Sequence, residues 1–466
     1  MPETPKKILI VNSTYANAGL DTVLIAKEYA SRGVDVDILT PFRSTEATAR
    51  SRGIGATCIA ESMRKFRFSE EAFQHCMAEY GLDFMEFAFD ELNKPFQSAE
   101  SVKKAVLASF RAVEKHLSEN NYDCIYDYSH VLLDRVVYHV ARKMGVLNLH
   151  GTATTPFGNM GWGRSWRWDD FVKRQYLEQD LTEEERKKVD EYLTSIKEHK
   201  PLVNDEALVL IAQGSRTRLL RDLYKHIFVN RRLFDNPLFP LGFFREALAA
   251  PFRSLIYKSR YDEPDYSEKY VYFPLQITTD ASIAVFDPKY FRQDAVVEAI
   301  SKSLPPGYEL YVKEHPKGRG NIPLAWMKRI TGLPNVKLVP VGISSHDLIK
   351  NCQALAVITT FTGWEGILYF KPVVIMGHPP FSRLGVTFDA ESMDGIAAAV
   401  RAALDAGMVD EEKVRKAINA SMKSVHEGHI YIMNEENPEN VRKLVDSMLE
   451  EYDYFLSQEK QASVPA

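Results

Sequence analysis

The chain has 466 residues, 45% hydrophobic and 26% charged, a globular composition too long for one ordinary core, so two or three domains are expected. A formal net charge of −5 excludes a global pull towards nucleic acid or acidic lipid, and any basic site must be local. The four cysteines (Cys58, Cys76, Cys124, Cys352) show neither CxxC nor metal-ligand spacing, so reduced thiols, no metal centre and a cytoplasmic location are expected.

KKILIVN (Lys6 to Asn12) is a β-branched apolar run, too short for a signal segment. Nothing along the chain reaches the ~20 apolar residues that span a bilayer, so a soluble protein, at most peripheral to the membrane, is expected. The turn formers STYANAG follow, then an amphipathic helix, LDTVLIAKEYASRG, stopped by Gly33, then the strand VDVDILT. This β-loop-α-β order demands a parallel sheet. Its loop lacks GxGxxG, which argues against nicotinamide or flavin, and no cofactor is expected. Asp21 stands at the helix start, where it serves either the dipole or an acceptor contact. Asp35 and Asp37 open a strand instead of ending one, which argues against a metal site.

A charged helical insertion is expected over residues 61–97. NYDCIYDYS then reads as a strand, LLDRVVYHVARKMG as a helix closed by Gly145, and VLNLHG as a strand with His150 at its terminus. His150 is open between a core histidine and a functional one. From Thr152 to Asp170 the sequence TATTPFGNMGWGRSWRWDD has no period and reads as a long loop. Within it Trp162, Trp166, Trp168, Arg164 and Arg167 suit either a lid over a sugar or plain packing.

Two helices follow, LTEEERKKVDEYLTSIKEHK with a Thr182/Glu185 capping box and EALVLIAQGSRTRLLRDLYKHIF. The run Phe243 to Arg260 reads first as a buried helix, with a surface for a membrane or partner as the alternative. A boundary is placed near Glu263 to Ser267. After it strand and helix alternate again, through KYVYFPLQ, YELYVKEHP, VKLVPVG, ALAVITT and KPVVIMG, to a last helix, ENVRKLVDSMLEEYDYFL.

In an open parallel sheet, ligands bind beyond the carboxyl ends of the strands. Pro316 has no backbone donor and stops its ladder, so His315 is expected to face that crevice, with Lys313 on the same face. His315 on its own would read as a surface histidine or a satisfied one. In AVITTFTGWEGILYF a strand runs into Thr359, Thr360, Thr362 and Gly363, and a helix begins at once. Free N–H groups and the positive end of a dipole there would suit phosphate. Thr362 and Glu365 also have capping-box spacing, which would by itself explain Glu365; the other reading is an acceptor for ribose hydroxyls.

FPLQ (Phe273 to Gln276), VKEHP (Val312 to Pro316) and HDLIKNCQALAVITTFTGWEGILYFKPVVIMG (His346 to Gly377) resemble, in order and spacing, the capsule polysaccharide biosynthesis and export family, which includes Kdo transferases. The resemblance covers residues 269–381. It implies a GT-B glycosyltransferase of α/β class: two Rossmann-like doubly wound domains facing a cleft, with a C-terminal helix crossing back to the N-terminal domain. The corresponding ranges are an acceptor domain over residues 1–265, a nucleotide-sugar-binding domain over 266–430, and a crossover helix and tail over 431–466. The implied donor set is Gln276, Lys313, His315, Thr360, Thr362, Gly363 and Glu365. Transfer would be metal-independent, from a nucleotide-sugar, with CMP a candidate nucleotide, to a glycan or glycolipid, at or near the inner membrane. His150 or Asp21 would orient or deprotonate the acceptor. The family's acidic Q-P-E is replaced here by Gln276-Ile277-Thr278, which leaves the donor sugar open. The alternatives are a nucleotide-sugar epimerase of the same architecture and a non-catalytic polysaccharide assembly protein.

Overall fold

The computed structural model describes residues 3–13, 19–92, 98–152, 159–167, 172–197, 241–278, 280–318, 320–430 and 437–462. The helix expected over EALVLIAQGSRTRLLRDLYKHIF, residues 153–158 of the expected loop and Trp168 lie outside them. The chain divides into two units. The first takes the described residues up to 167 and from 424 onwards; the second takes those within 172–197 and 241–423.

The first unit is built on strands β1 (Lys7–Val11), β2 (Asp35–Thr40), β3 (Gly55–Cys58), β4 (Cys124–Asp127), β5 (Leu147–Thr152), β6 (Met160–Gly163) and β13 (Val425–His426). Their order is β13-β6-β5-β4-β1-β2-β3, with β5 to β3 parallel and β6 antiparallel to both its neighbours. Central strand β1 shows why a parallel strand reads as a continuous apolar run. Its alternate residues feed two cores, Ile8 and Ile10 on one face, Leu9 and Val11 on the other. The second face is covered by helices Glu70–Tyr80, Ala99–Glu119 and Leu132–Met144. The first face is covered by Leu20–Ser31 and by the final helix, Pro438–Ala462.

That final helix does cross back. Val441, Leu444, Val445, Met448, Tyr452 and Phe455 recur at helical spacing and pack into the core of the first unit. Tyr126 and Trp162 pin it, donating to Met448 O (2.9 Å) and Ser447 Oγ (3.0 Å).

The stretch read as a loop from Thr152 differs from expectation. Met160–Gly163 is a strand, and Trp162 and Trp166 are buried, so both tryptophans pack rather than cover a ligand. Gly-Trp-Gly conceals the alternation because a glycine offers no side chain to mark the second face. Arg167 pairs with Glu86 at 3.1 Å and lies over the Trp166 ring.

The second unit carries a six-stranded, fully parallel sheet of order β12-β11-β10-β7-β8-β9. Its strands are β7 (Lys269–Pro274), β8 (Tyr308–Lys313), β9 (Val336–Val339), β10 (Ala354–Val357), β11 (Val373–Ile375) and β12 (Phe388–Asp389). The unit begins well before the expected boundary at residue 265. In helix Leu241–Lys258 the buried Tyr257 donates to Ile322 O, and Arg253 Nε donates to Gly320 O at 2.6 Å. This helix is not wholly buried, because Phe252 and Leu255 are 66% and 64% exposed. Helix Glu183–Lys197 also belongs here, opened by the expected reciprocal bonds between Thr182 and Glu185 and joined to Trp364 through Tyr192. No helix among the described residues is long and apolar enough to cross a membrane.

Gly320 has φ +75°, and a Cβ there would lie 2.1 Å from Ala250 O, so only glycine lets the Leu241–Lys258 helix dock. Gly320→Ala combines a left-handed backbone with a backbone clash and is expected to cost about 2 kcal/mol or more. An unchanged urea midpoint in that variant would contradict this account.

Candidate functional site

Both sheets reverse their strand order once, at β1/β4 in the first unit and at β7/β10 in the second. Such switch points leave a crevice beyond the carboxyl ends of the strands, the usual ligand position of doubly wound folds. A polar, largely buried cluster stands at each.

In the second unit the crevice is bridged by Gln276, just past β7, and Thr359, just past β10. Gln276 Nε2 donates to Thr359 Oγ1 (2.8 Å) and to Ser282 Oγ (3.2 Å), while its Oε1 accepts from Thr359 N at 3.0 Å. Gln293 closes the arrangement from behind, accepting from Gln276 N and donating to Gln276 O. The Gln276 amide is therefore engaged within the protein, and it holds the edge in place instead of facing the crevice.

Lys313 is likewise engaged. It is buried at the end of β8, and its Nζ donates to Ile343 O (2.5 Å) and Ser345 Oγ (2.9 Å). Burial lowers its pKa, opposed by the charge of Glu365. Glu314 turns to the opposite face, where Gly320 N and Tyr261 OH donate to it. His315 follows, half-buried, ahead of the short turn of helix Pro316–Gly318, so it does stand at a strand end as expected.

Beyond β10 the helix Thr362–Leu368 has Phe361 as its N-cap, and no side-chain cap bond forms. The Thr362/Glu365 capping box is thus absent. Thr360 takes its place, accepting from Thr362 N through Oγ1 (3.4 Å) and from Gly363 N through its carbonyl (3.0 Å). Two of the N–H groups expected to await phosphate are satisfied in this way, and the Thr360 and Thr362 hydroxyls are what the turn presents. Gly363 has a packing reason, since a Cβ there would lie 2.8 Å from Val357 and 2.9 Å from Phe381. Glu365, released from capping, is part-buried. Burial pushes its carboxyl up to about 7 against the pull of Lys313. The structure thus gathers Gln276, Lys313, Thr360, Thr362, Gly363 and Glu365 at one sheet edge, with His315 two residues beyond β8.

Asp21 and His150 belong to the other unit. His150 lies inside β5, which runs on to Thr152, so it is a buried strand residue and not a strand terminus. Parallel register sets it beside Asp127 of β4, and its Nδ1 bonds Asp127 Oδ1. Asn148 Nδ2 donates to the other carboxylate oxygen at 2.8 Å. Asp134, on the adjoining helix, is fully buried, and burial together with the Asp127 charge pushes its carboxyl up to about 8. Asp21 stands in the first turn of helix Leu20–Ser31 behind the left-handed Gly19. Asp127 and Asp134 were missed in the sequence. The only signal was that Asp127 ends an apolar strand, as Lys313 does.

Two doubly wound α/β units in tandem, each with a polar switch point, and a final helix returned to the first unit have the topology expected of the GT-B type. Residues 255–422 match the model of the family described as "Capsule polysaccharide biosynthesis protein". The expected resemblance is thereby shown for this segment, which extends beyond residues 269–381 at both ends. Among solved structures the chain is similar to the Thermosulfurimonas dismutans KpsC β-Kdo 2,7 transferase, at 13% identity over 66% of this chain and 89% of that one, with TM-score 0.36. It is similar to the KpsC β-Kdo 2,4 transferase of the same organism at 17% identity over 64% and 87%, with TM-score 0.36. For the calicheamicin glycosyltransferase CalG4 the values are 14%, 96%, 98% and 0.29. These overlaps add nothing to the strand order itself. No curated protein matches by sequence.

Because folding raises the Glu365 carboxyl, the stability it contributes is complete below the ordinary value of 4.5 and is lost as pH rises through about 7. Glu365→Gln removes that loss. Relative to the natural chain the variant should gain about 2–3 kcal/mol between pH 4 and pH 8. Urea titrations across that range test this, and a difference that does not change with pH would contradict it.

Proposed function

We propose that this protein is a cytoplasmic, metal-independent glycosyltransferase that moves a sugar from a nucleotide-sugar to a surface glycan or glycolipid. The observation that carries the reading is a coincidence of position: the segment matching the capsule polysaccharide biosynthesis family is the one whose strand ends build the polar switch point. In this reading the second unit takes the donor. His315 and the Thr360 and Thr362 hydroxyls donate to the phosphate, stabilising the charge that grows on it as the glycosidic bond breaks. Glu365, poised near neutrality, accepts from or donates to the ribose hydroxyls. Gln276 and Lys313 act one step back, fixing the strand ends from which these groups project.

The first unit takes the acceptor. His150 removes the proton from the attacking hydroxyl, and Asp127 holds the ring and stabilises it once protonated. Asp21 is the alternative base. A second reading has one observation in its favour. Asp127 and Asp134 are paired buried carboxylates, of which one stays protonated at neutral pH, and an epimerase needs paired acid and base groups.

Thermal unfolding with CMP, CDP, UDP, GDP or dTDP tests the donor role. A ligand present at 100 times its Kd should add about 2.7 kcal/mol of apparent stability, and His315→Ala should remove that gain. No response to any nucleotide would favour the non-catalytic assembly protein. With the matching nucleotide-sugar, free or transferred sugar indicates transfer, and a stereoisomeric nucleotide-sugar indicates epimerisation. His150→Gln is expected to slow turnover roughly 10²–10⁴-fold while nucleotide affinity holds. Loss of affinity in that variant would move His150 out of the acceptor role.

A further inference from the structure

The segment that leaves β11, Gly377 to Val386, has no part in the reading above, yet it adjoins the same switch point. A Cβ on Gly377 would lie 2.5 Å from Asp287 Oδ2 and 2.6 Å from Thr359 Cγ2, so the chain passes here between Asp287 and the Gln276–Thr359 bridge. The next residue is His378. Asp287, almost wholly buried, grips it twice: Oδ2 accepts from His378 N at 2.7 Å, and Oδ1 bonds His378 Nδ1 at 2.8 Å. A proton on Nδ1 leaves Nε2 as the acceptor, and Arg383 NH2 donates to it at 3.1 Å.

Arg383 is exposed and has φ 59°, a left-handed backbone that a long side chain seldom adopts. Among the described residues, no carboxylate comes within 4 Å of its guanidinium, and His378 is its one side-chain hydrogen-bond partner. Asp389 is the nearby acid. It accepts from Thr387 Oγ1 at 3.0 Å and from the Arg383 backbone N–H, and burial raises its pKa against the pull of the Arg383 charge. The contrast with the rest of the edge is sharp. Gln276, Lys313 and the first N–H groups of helix Thr362–Leu368 are engaged internally, whereas Arg383 keeps most of a five-donor fork for an anion.

We propose that His378 and Arg383 form an anion subsite that takes a second oxyanion of the nucleotide-sugar, with Asp287 as the residue that positions His378. The inference rests on the reading that this sheet edge holds a nucleotide-sugar. The oxyanion is either the distal phosphate of a diphosphate-linked donor or the carboxylate of a sugar acid linked to a monophosphate.

Calorimetric titration of the full chain with CMP, UMP and GMP, with CDP, UDP and GDP, and with CMP-N-acetylneuraminate tests it. Arg383→Gly removes the side chain and suits the left-handed backbone; Arg383→Lys keeps the charge without the fork. In the natural chain one ligand with a second oxyanion should bind at least tenfold more tightly than its own monophosphate. Arg383→Gly should abolish that advantage, leave the monophosphate unaltered, and be partly rescued by lysine. An advantage confined to a diphosphate identifies the distal phosphate; one confined to the sugar-acid nucleotide identifies the carboxylate. If the advantage is absent, or survives in Arg383→Gly, the subsite is wrong while the donor reading stands. If the natural chain binds no nucleotide, both fail.

Discussion

The side-chain amide of Gln276 is the constraint on which the second unit's edge depends. It ties the end of β7 to the end of β10, 83 residues apart in sequence, at the point where the strand order reverses. The two crossovers leave in opposite directions there, which opens the crevice that the bridge spans. Each hydrogen bond in the bridge contributes about 1 kcal/mol, but leaving the buried amide unpaired would cost more than making the bonds gains. The bridge therefore fixes Thr359, which Thr360, Thr362 and Glu365 follow in the chain and against which Gly377, the neighbour of His378, packs.

The two units solve a similar electrostatic problem in similar places. Each keeps a carboxyl buried near its switch point, Glu365 in one and Asp134 in the other, and in each case burial is the largest cause of an upward shift. Each places a second ionisable group nearby, Lys313 for Glu365 and the Asp127–His150 pair for Asp134. In both cases taking the carboxylate out of water disfavours its charged form, and the neighbouring charge only partly offsets or adds to that cost. Structural ion pairs elsewhere in the protein behave differently: Glu185, fixed by Thr182 and Lys423, is held down at about 2.

Much of the fold was legible because parallel strands buried on both faces leave unbroken apolar runs, and helices between them show a different period. The Thr182/Glu185 box was legible because its partners are three residues apart. What failed did so for local reasons. Thr362 and Glu365 have the same spacing, but the chain turns through Phe361 and Thr360 satisfies the first N–H groups. The strand Met160–Gly163 was concealed by its glycines, and helix Leu241–Lys258 by a boundary drawn where the period resumed and not where the packing began.

By itself, the sequence determined the class: alternating strands and helices, with polar residues at the strand ends. Those follow from periods of two and 3.6 and from backbone stops, all within a few residues. Tertiary structure decided which of these polar groups are consumed and which remain. Lys313 meets Ile343 and Ser345, Gln276 meets Thr359, and His150 meets Asp127 only after the strands pair. A hydrogen-bond partner is a matter of distance in space, and no local period encodes it.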